Sequence, residues 1–89
     1  MLHYSIIIKG KVQGVSYRQH TKNKAQDLKI KGFIKNMIDG SVYMEIEGDE
    51  KNIQELVDWC HIGSPLSRVV SVELERGKLK GFDNFQIKQ

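Results

Sequence analysis

The chain has 89 residues, a length that predicts one domain spanning residues 1–89. Hydrophobic residues make up 39% and charged residues 28% of the chain, which is too apolar for a disordered protein, and no run approaches the roughly 18 apolar residues of a membrane span. The net charge of +3 favours anionic partners only mildly, and a small anionic substrate would account for it. The Lys and Arg residues are scattered along the chain, so the sequence predicts no nucleic-acid tail.

The first third of the chain predicts a strand, a turn and a helix. Residues 3–9 form the strand, with Tyr4, Ile6 and Ile8 on one face. Residues 10–15 form a turn bounded by glycines, and the helix runs from about residue 16 to residue 28. Residues at helical spacing mark its buried side, and these are Tyr17, Thr21, Ala25 and Leu28.

The middle of the chain predicts a β-hairpin followed by a second helix. Residues 31–36 and 41–47 are strands joined through Asp39-Gly40, a strong hairpin signal. Alternation in the second strand predicts two faces, with Val42, Met44 and Ile46 facing in and Tyr43, Glu45 and Glu47 facing out. The second helix covers residues 50–62, with Asp49 as its N-cap and Gly63 closing it. Its apolar stripe consists of Ile53, Leu56, Val57 and Cys60.

The last third predicts a long strand over residues 68–76 and a short edge strand over residues 84–88. The long strand places Val70, Val72 and Leu74 on one face. The complete order is β-α-β-β-α-β, the split βαβ arrangement. We therefore predict an α+β, ferredoxin-like sandwich in which two helices pack on one face of an antiparallel sheet.

The connection between the first strand and the first helix has the residues of an anion site. Gly10 and Gly14 permit positive φ and close approach of the backbone to a ligand. The turn leads into a helix N-terminus, where free N–H groups and the helix dipole attract anions. Arg18 lies in the first helical turn, where the dipole disfavours a cation by roughly 0.3–1 kcal/mol unless an anion binds. A tight turn beside a solvated arginine fits the same residues, so the turn alone leaves both interpretations open.

The ordered sequence around this turn resembles a family signature. Residues 10–18 are similar to the acylphosphatase signature G-x-V-Q-G-V-x-[FY]-R. Residues 32–36 resemble the second signature, G-[FYW]-[VI]-x-N, and residues 39–42 match the D-G-x-V that usually follows. The resemblance spans nearly the whole chain. One departure is Lys29, which stands near the position where many members end the first helix with glycine, so it bears on helix-end geometry rather than on chemistry.

The resemblance implies a hydrolase that cleaves the carboxyl–phosphate bond of acyl phosphates to carboxylate and phosphate, without a metal or cofactor. It implies that Arg18 and the loop amides hold the phosphate and that Asn36 positions the attacking water. The loop residues concerned are Lys11, Val12, Gln13, Gly14 and Val15. The residue types suit this reaction because phosphoryl transfer needs mainly positioning and charge stabilisation. Neither signature offers an obvious base for the water.

Other chemistries have weaker support in the sequence. Cys60 and Arg68 have the spacing C-x7-R rather than the C-x5-R of cysteine phosphatases, and Cys60 falls on an apolar stripe, which predicts a buried inert thiol. The three histidines lack zinc-ligand spacing. Phe33 and Tyr43 suggest an RNA-binding sheet, but the third predicted strand lacks the basic and aromatic pattern that such sheets carry.

A non-catalytic anion-binding module is the main alternative to an enzyme, because acylphosphatase-like domains also occur inside larger maturation proteins. The presence of both Arg18 and Asn36 favours the enzyme. The expected partner is a small acyl phosphate substrate, with no nucleic acid and no membrane. With one cysteine and no evident signal peptide, we expect a location in the cytoplasm. We also expect a monomer.

Overall fold

Seven regular elements form in the computed structural model, which describes all residues from Met1 to Gln89. They are β1 (Leu2–Lys11), α1 (Tyr17–Asp27), β2 (Lys31–Asn36), β3 (Val42–Gly48), α2 (Glu50–Ile62), β4 (Arg68–Gly77) and β5 (Phe85–Lys88). The bounds of β2 and α2 coincide with the predicted ones, and the other elements shift by a residue or two.

The five strands form one sheet in the order β4-β1-β3-β2-β5. β1 pairs antiparallel with both β3 and β4, and β2 pairs antiparallel with β3. The ferredoxin-like prediction is therefore confirmed. The sheet is mixed rather than antiparallel throughout, because residues 78–84 cross from one edge to the other and deliver β5 parallel to β2.

The core lies between one face of the sheet and the two helices. Sheet side chains that are completely buried include Ile6, Ile8, Ile34, Val42, Met44 and Ile46. The helices bury the residues that the periodicity predicts, except that Leu28 is only half-buried. Burial of these apolar side chains supplies the main driving force for folding.

Lys29 lies just after α1, where the family resemblance leads one to expect glycine, and it adopts a left-handed conformation at φ 58°. The N–H of Lys29 donates to the carbonyl of Gln26, and the N–H of Ile30 donates to the carbonyl of Ala25. This is the pattern of a Schellman motif, in which glycine usually occupies the left-handed position. The backbone thus keeps the geometry of a glycine cap although the residue is lysine.

The prediction that Val70, Val72 and Leu74 share one face of β4 is wrong at Val70, which is 76% exposed. The register between β1 and β4 shifts at Lys9 and Gly10, so Val69 rather than Val70 packs against the core. A bulge inserts one residue and moves the following side chains to the other face. A β-carbon at Gly10 would overlap the carbonyl oxygen of Arg68, which explains the glycine at this bulge.

Glu45 and Glu47 lie on the sheet face opposite the helices, as predicted, but they are buried rather than solvated, with 7% and 3% exposure. Residues 78–84 cover them. The Glu47 carboxylate accepts hydrogen bonds from the backbone N–H groups of Lys80, Gly81 and Phe82 and lies 2.7 Å from His3 Nδ1. Burial alone would raise the pKa of Glu47, but the hydrogen bonds outweigh it and hold that pKa below its ordinary value.

We expect Glu47→Gln to lower the free energy of unfolding at pH 7 by about 1–3 kcal/mol, because three backbone donors lose a charged acceptor. The pKa of Glu47 is lower in the folded state than in the unfolded state. Its contribution to the free energy of unfolding is therefore present above the ordinary carboxyl pKa of about 4.3 and is lost as pH falls through the pKa of the folded state. The difference from wild type should shrink at acid pH in denaturant titrations. Glu75→Gln is the control, because Glu75 is exposed on β4, and equal losses in both variants would contradict the prediction.

Candidate functional site

The connection between β1 and α1 is anchored by three side chains that point into the core. Val12 and Tyr17 are each 1% exposed and Val15 is 9% exposed. The Tyr17 hydroxyl donates to the carbonyl oxygen of Cys60 in α2 at 2.9 Å. Because the apolar side chains point inward, Gly14 and Ser16 between them are left on the surface.

The backbone of this connection takes left-handed conformations at Gly14, with φ 73°, and at Ser16, with φ 60°. Nothing lies within 4 Å of the position of a β-carbon at Gly14, so a side chain would have room there. The glycine is explained instead by its positive φ, which glycine adopts without strain. Ser16 is the N-cap of α1 but makes no side-chain cap hydrogen bond, and the first turn holds no acidic residue. The first N–H groups of α1 therefore have no side-chain acceptor from the cap.

Arg18 is half-buried in the first turn of α1 and forms no ion pair. Its Nη1 donates to the carbonyl of Lys88 in β5 at 3.5 Å, at the outer limit of a hydrogen bond. A cavity of about 350 Å³ opens beside it, lined by Val12, Gly14, Ser16, Tyr17, Arg18, Gln19 and Ile87. The cavity thus combines an unpaired cation with the start of a helix.

Asn36 is the last residue of β2, and its side-chain oxygen Oδ1 is buried without a hydrogen-bond partner. Lys35, the residue before it, pairs in register with Lys88, whose carbonyl contacts Arg18. Arg18 and Asn36 therefore lie at the same end of the sheet. An unsatisfied buried amide oxygen is uncommon in a folded protein and points to a ligand or water that completes it.

Only two of the five loop residues predicted to hold the phosphate line this cavity. Val12 and Gly14 line the cavity, whereas Lys11, Gln13 and Val15 lie outside its lining. Lys11 ends β1 opposite Arg68, and Val15 is buried. The side chain of Gln13 leaves the loop and donates to backbone carbonyls of the β2–β3 hairpin.

Ser64 contributes to the loop although no motif in the sequence indicates a role for it. Ser64 is 3% exposed, and its hydroxyl donates to the carbonyl of Val15 at 2.8 Å. Ser64 therefore fixes the backbone of the loop at Val15 from the buried side. The two residues are 49 positions apart in sequence, and no local pattern signals that they meet.

The alternative chemistries find little support in the geometry. Cys60 is completely buried, and burial raises its pKa to about 12, so the thiolate needed for nucleophilic attack is disfavoured. No group of three His, Cys, Asp or Glu side chains is arranged to hold a metal ion. Neither helix has the length and apolar character needed to cross a membrane.

Comparison with known proteins identifies the family. The family model described as Acylphosphatase matches residues 4–87. The acylphosphatase of Geobacter sulfurreducens is 44% identical over 93% of this chain and 92% of its own length, and that of Geotalea uraniireducens is 42% identical over 92% and 91%. The crystal structure of acylphosphatase from Bacillus subtilis superposes with a TM-score of 0.98 at 37% identity, with both chains covered completely.

The family model covers nearly the whole chain, and these relatives match over nearly their full lengths. The chain therefore belongs to the acylphosphatase family, which confirms both the predicted family and the prediction of an enzyme of this class.

Proposed function

We propose that this enzyme hydrolyses acyl phosphates without a metal ion, with Arg18 and the amides of residues 11–15 holding the phosphate and Asn36 holding the nucleophilic water. The observation that carries the proposal is that two polar side chains, each lacking one partner, lie at the same end of the sheet. Arg18 lacks an anionic partner, and the buried Oδ1 of Asn36 lacks a donor. An acyl phosphate and a water molecule would complete both.

The phosphate is recognised by complementary charge and by backbone donors. The planar guanidinium of Arg18 offers two parallel N–H groups to phosphate oxygens. The exposed backbone around Gly14 and the uncapped start of α1 offer further donors, and the helix dipole adds favourable potential for an anion. A bound phosphate also removes the repulsion between Arg18 and the helix N-terminus.

Asn36 suits a role in orienting water because its side chain is neutral. An amide oxygen left unpaired in a buried position costs about 1–3 kcal/mol. A rotation of the side chain that exposes Oδ1 to a water would remove this cost, because the water would donate to it. With one O–H directed at Asn36, the water turns a lone pair towards phosphorus. A carboxylate at this position would hold water equally well but would repel the anionic substrate.

In the proposed reaction the water oxygen forms a bond to phosphorus while the bond from phosphorus to the acyl oxygen breaks. The carboxylate that leaves is stable as an anion, so it needs no general acid. The proton of the water passes to a phosphate oxygen of the substrate. Arg18 and the loop amides stabilise the negative charge on the phosphoryl oxygens in the transition state, which is the main contribution that a protein makes to phosphoryl transfer.

Replacing Arg18 tests the phosphate site. We expect Arg18→Ala to reduce kcat/KM for benzoyl phosphate by about 10²–10³-fold and to weaken inhibition by inorganic phosphate, because the charged donor is lost. Arg18→Lys should recover only part of the activity, since lysine lacks the planar fork. Arg76→Ala, which removes the same charge from an exposed position on β4, is the control. Equal phosphate inhibition in the Arg18→Ala variant and wild type would refute this role.

Replacing Asn36 tests the water site. We expect Asn36→Ala to lower kcat by about 10²–10³-fold while the inhibition constant of inorganic phosphate stays near the wild-type value, because water is misplaced but the phosphate donors remain. Steady-state kinetics with benzoyl phosphate measures both quantities, with Asn52→Ala in α2 as the control. A wild-type kcat in the Asn36→Ala variant would overturn the proposed role of this residue.

Removal of metal ions tests the remaining part of the proposal. Hydrolysis of benzoyl phosphate should survive dialysis against EDTA, and added Mg²⁺ should not increase it, because positive charge is supplied by Arg18 and backbone donors. Activity that disappears with EDTA and returns with a metal would contradict metal independence. A thermal shift with phosphate but no turnover would instead favour the anion-binding module.

We also propose that the enzyme acts on small acyl phosphates as a monomer in the cytoplasm. The single cysteine is free and buried, which fits a reducing compartment.

A further inference from the structure

The side chain of Gln13 connects the β1–α1 loop to the hairpin between β2 and β3. Its Nε2 donates to the carbonyl oxygens of Met37 and Ser41, each at 2.8 Å. A primary amide nitrogen carries two N–H groups, so both are engaged. The loop that approaches the phosphate is thereby tied to a segment that lies 24 and 28 positions further along the chain.

The two acceptors are the carbonyls at the neck of the hairpin. The Ser41 carbonyl also accepts from the Met37 N–H at 2.8 Å, and the Met37 carbonyl accepts from the Gly40 N–H at 3.2 Å. Met37 directly follows Asn36, and Ser41 directly precedes Val42, the register partner of Asn36. Gln13 therefore contacts both sides of the hairpin, one residue beyond the Asn36–Val42 pair.

No other hydrogen bond joins this turn to the rest of the protein, and of its residues only Ser41 is buried. Ile38 is fully exposed and Met37 is 39% exposed. Asp39 accepts hydrogen bonds from the N–H and hydroxyl of Ser41, which are contacts within the turn. The side chain of Gln13 thus makes the hydrogen bonds that fix the neck relative to the loop.

We propose that Gln13 is a positioning residue, which sets Asn36 and its water at the correct distance from the phosphate held by the loop. This inference rests on the proposed function, since it requires that Asn36 holds the water. It assigns to the side chain of Gln13 a role separate from that of its backbone amide. Loss of the link would misplace the water without removing any phosphate donor.

Gln13→Met tests the link, because methionine has a similar length and shape but no donor. We expect kcat for benzoyl phosphate to fall about tenfold, while the inhibition constant of inorganic phosphate stays within about twofold of wild type. Gln54→Met is the matched control, since the Gln54 amide donates only to Asp58 on the exposed side of α2. A proportional weakening of phosphate inhibition in the Gln13→Met variant would overturn the inference, because Gln13 would then act on the loop itself.

A double-mutant cycle with Asn36→Ala separates this inference from the proposed function. If Gln13 acts through Asn36, Gln13→Met should produce no further loss of kcat in the Asn36→Ala background. Losses that multiply would refute the inference alone. A wild-type kcat in the single Asn36→Ala variant would instead refute the role of Asn36, whatever Gln13 does.

Gln13→Glu supplies a second variant of the same length in case Gln13→Met does not fold. Its ionised carboxylate would face two carbonyl oxygens without a proton to donate, so kcat should fall below that of Gln13→Met. As pH falls through the pKa of the introduced carboxyl, one O–H donor appears, and the ratio of its kcat to the wild-type kcat should rise. A ratio that does not change with pH would count against the link.

Discussion

Burial of Val12, Val15 and Tyr17 is the interaction on which the candidate site depends. These side chains join the core below the loop, and the loop backbone must therefore turn across the end of the sheet with Gly14 and Ser16 outside. The hydroxyl of Ser64 holds the carbonyl of Val15, and the hydroxyl of Tyr17 holds the carbonyl of Cys60. The loop is therefore shaped by packing before any ligand arrives, and donors that are fixed in advance need little reorganisation during a reaction.

The site concentrates features that each destabilise a folded protein on their own. Ser16 is a non-glycine residue in a left-handed conformation, Arg18 is a cation at a helix N-terminus, and the amide oxygen of Asn36 is buried without a donor. Violations of local rules tend to gather where function requires them. In the proposed function a bound anion would offset the penalty at Arg18 and a water would offset the penalty at Asn36, so one substrate with its nucleophile would relieve both.

The covered face of the sheet is connected to this site through β5. Glu47 holds the backbone of residues 80–82 as the chain crosses from β4 to the opposite edge of the sheet. The chain then enters β5, where Ile87 lines the cavity and the Lys88 carbonyl accepts from Arg18. A buried carboxylate on the covered face of the sheet therefore helps to place the edge strand that borders the cavity.

Much of the architecture followed from local patterns. The Asp39-Gly40 turn and the alternation of Val42, Met44 and Ile46 predicted the hairpin, and the stripe along α2 predicted its buried side. Patterns of this kind work because the side-chain periods of strands and helices are fixed by backbone geometry. They did not predict the exposure of Val70, which depends on a bulge in pairing with β1, or the burial of Glu45 and Glu47, which depends on a distant segment crossing above them.

The sequence by itself determined the family, the order of elements and the residues proposed for the chemistry, because these are carried by ordered motifs and local periodicity. Only the tertiary structure decided how the parts of the site are held together. The link from Gln13 to the hairpin and the support of Val15 by Ser64 join residues far apart in the chain. Such hydrogen bonds exist only after the sheet has brought its strands together, since no local pattern encodes the position of a partner that folding supplies.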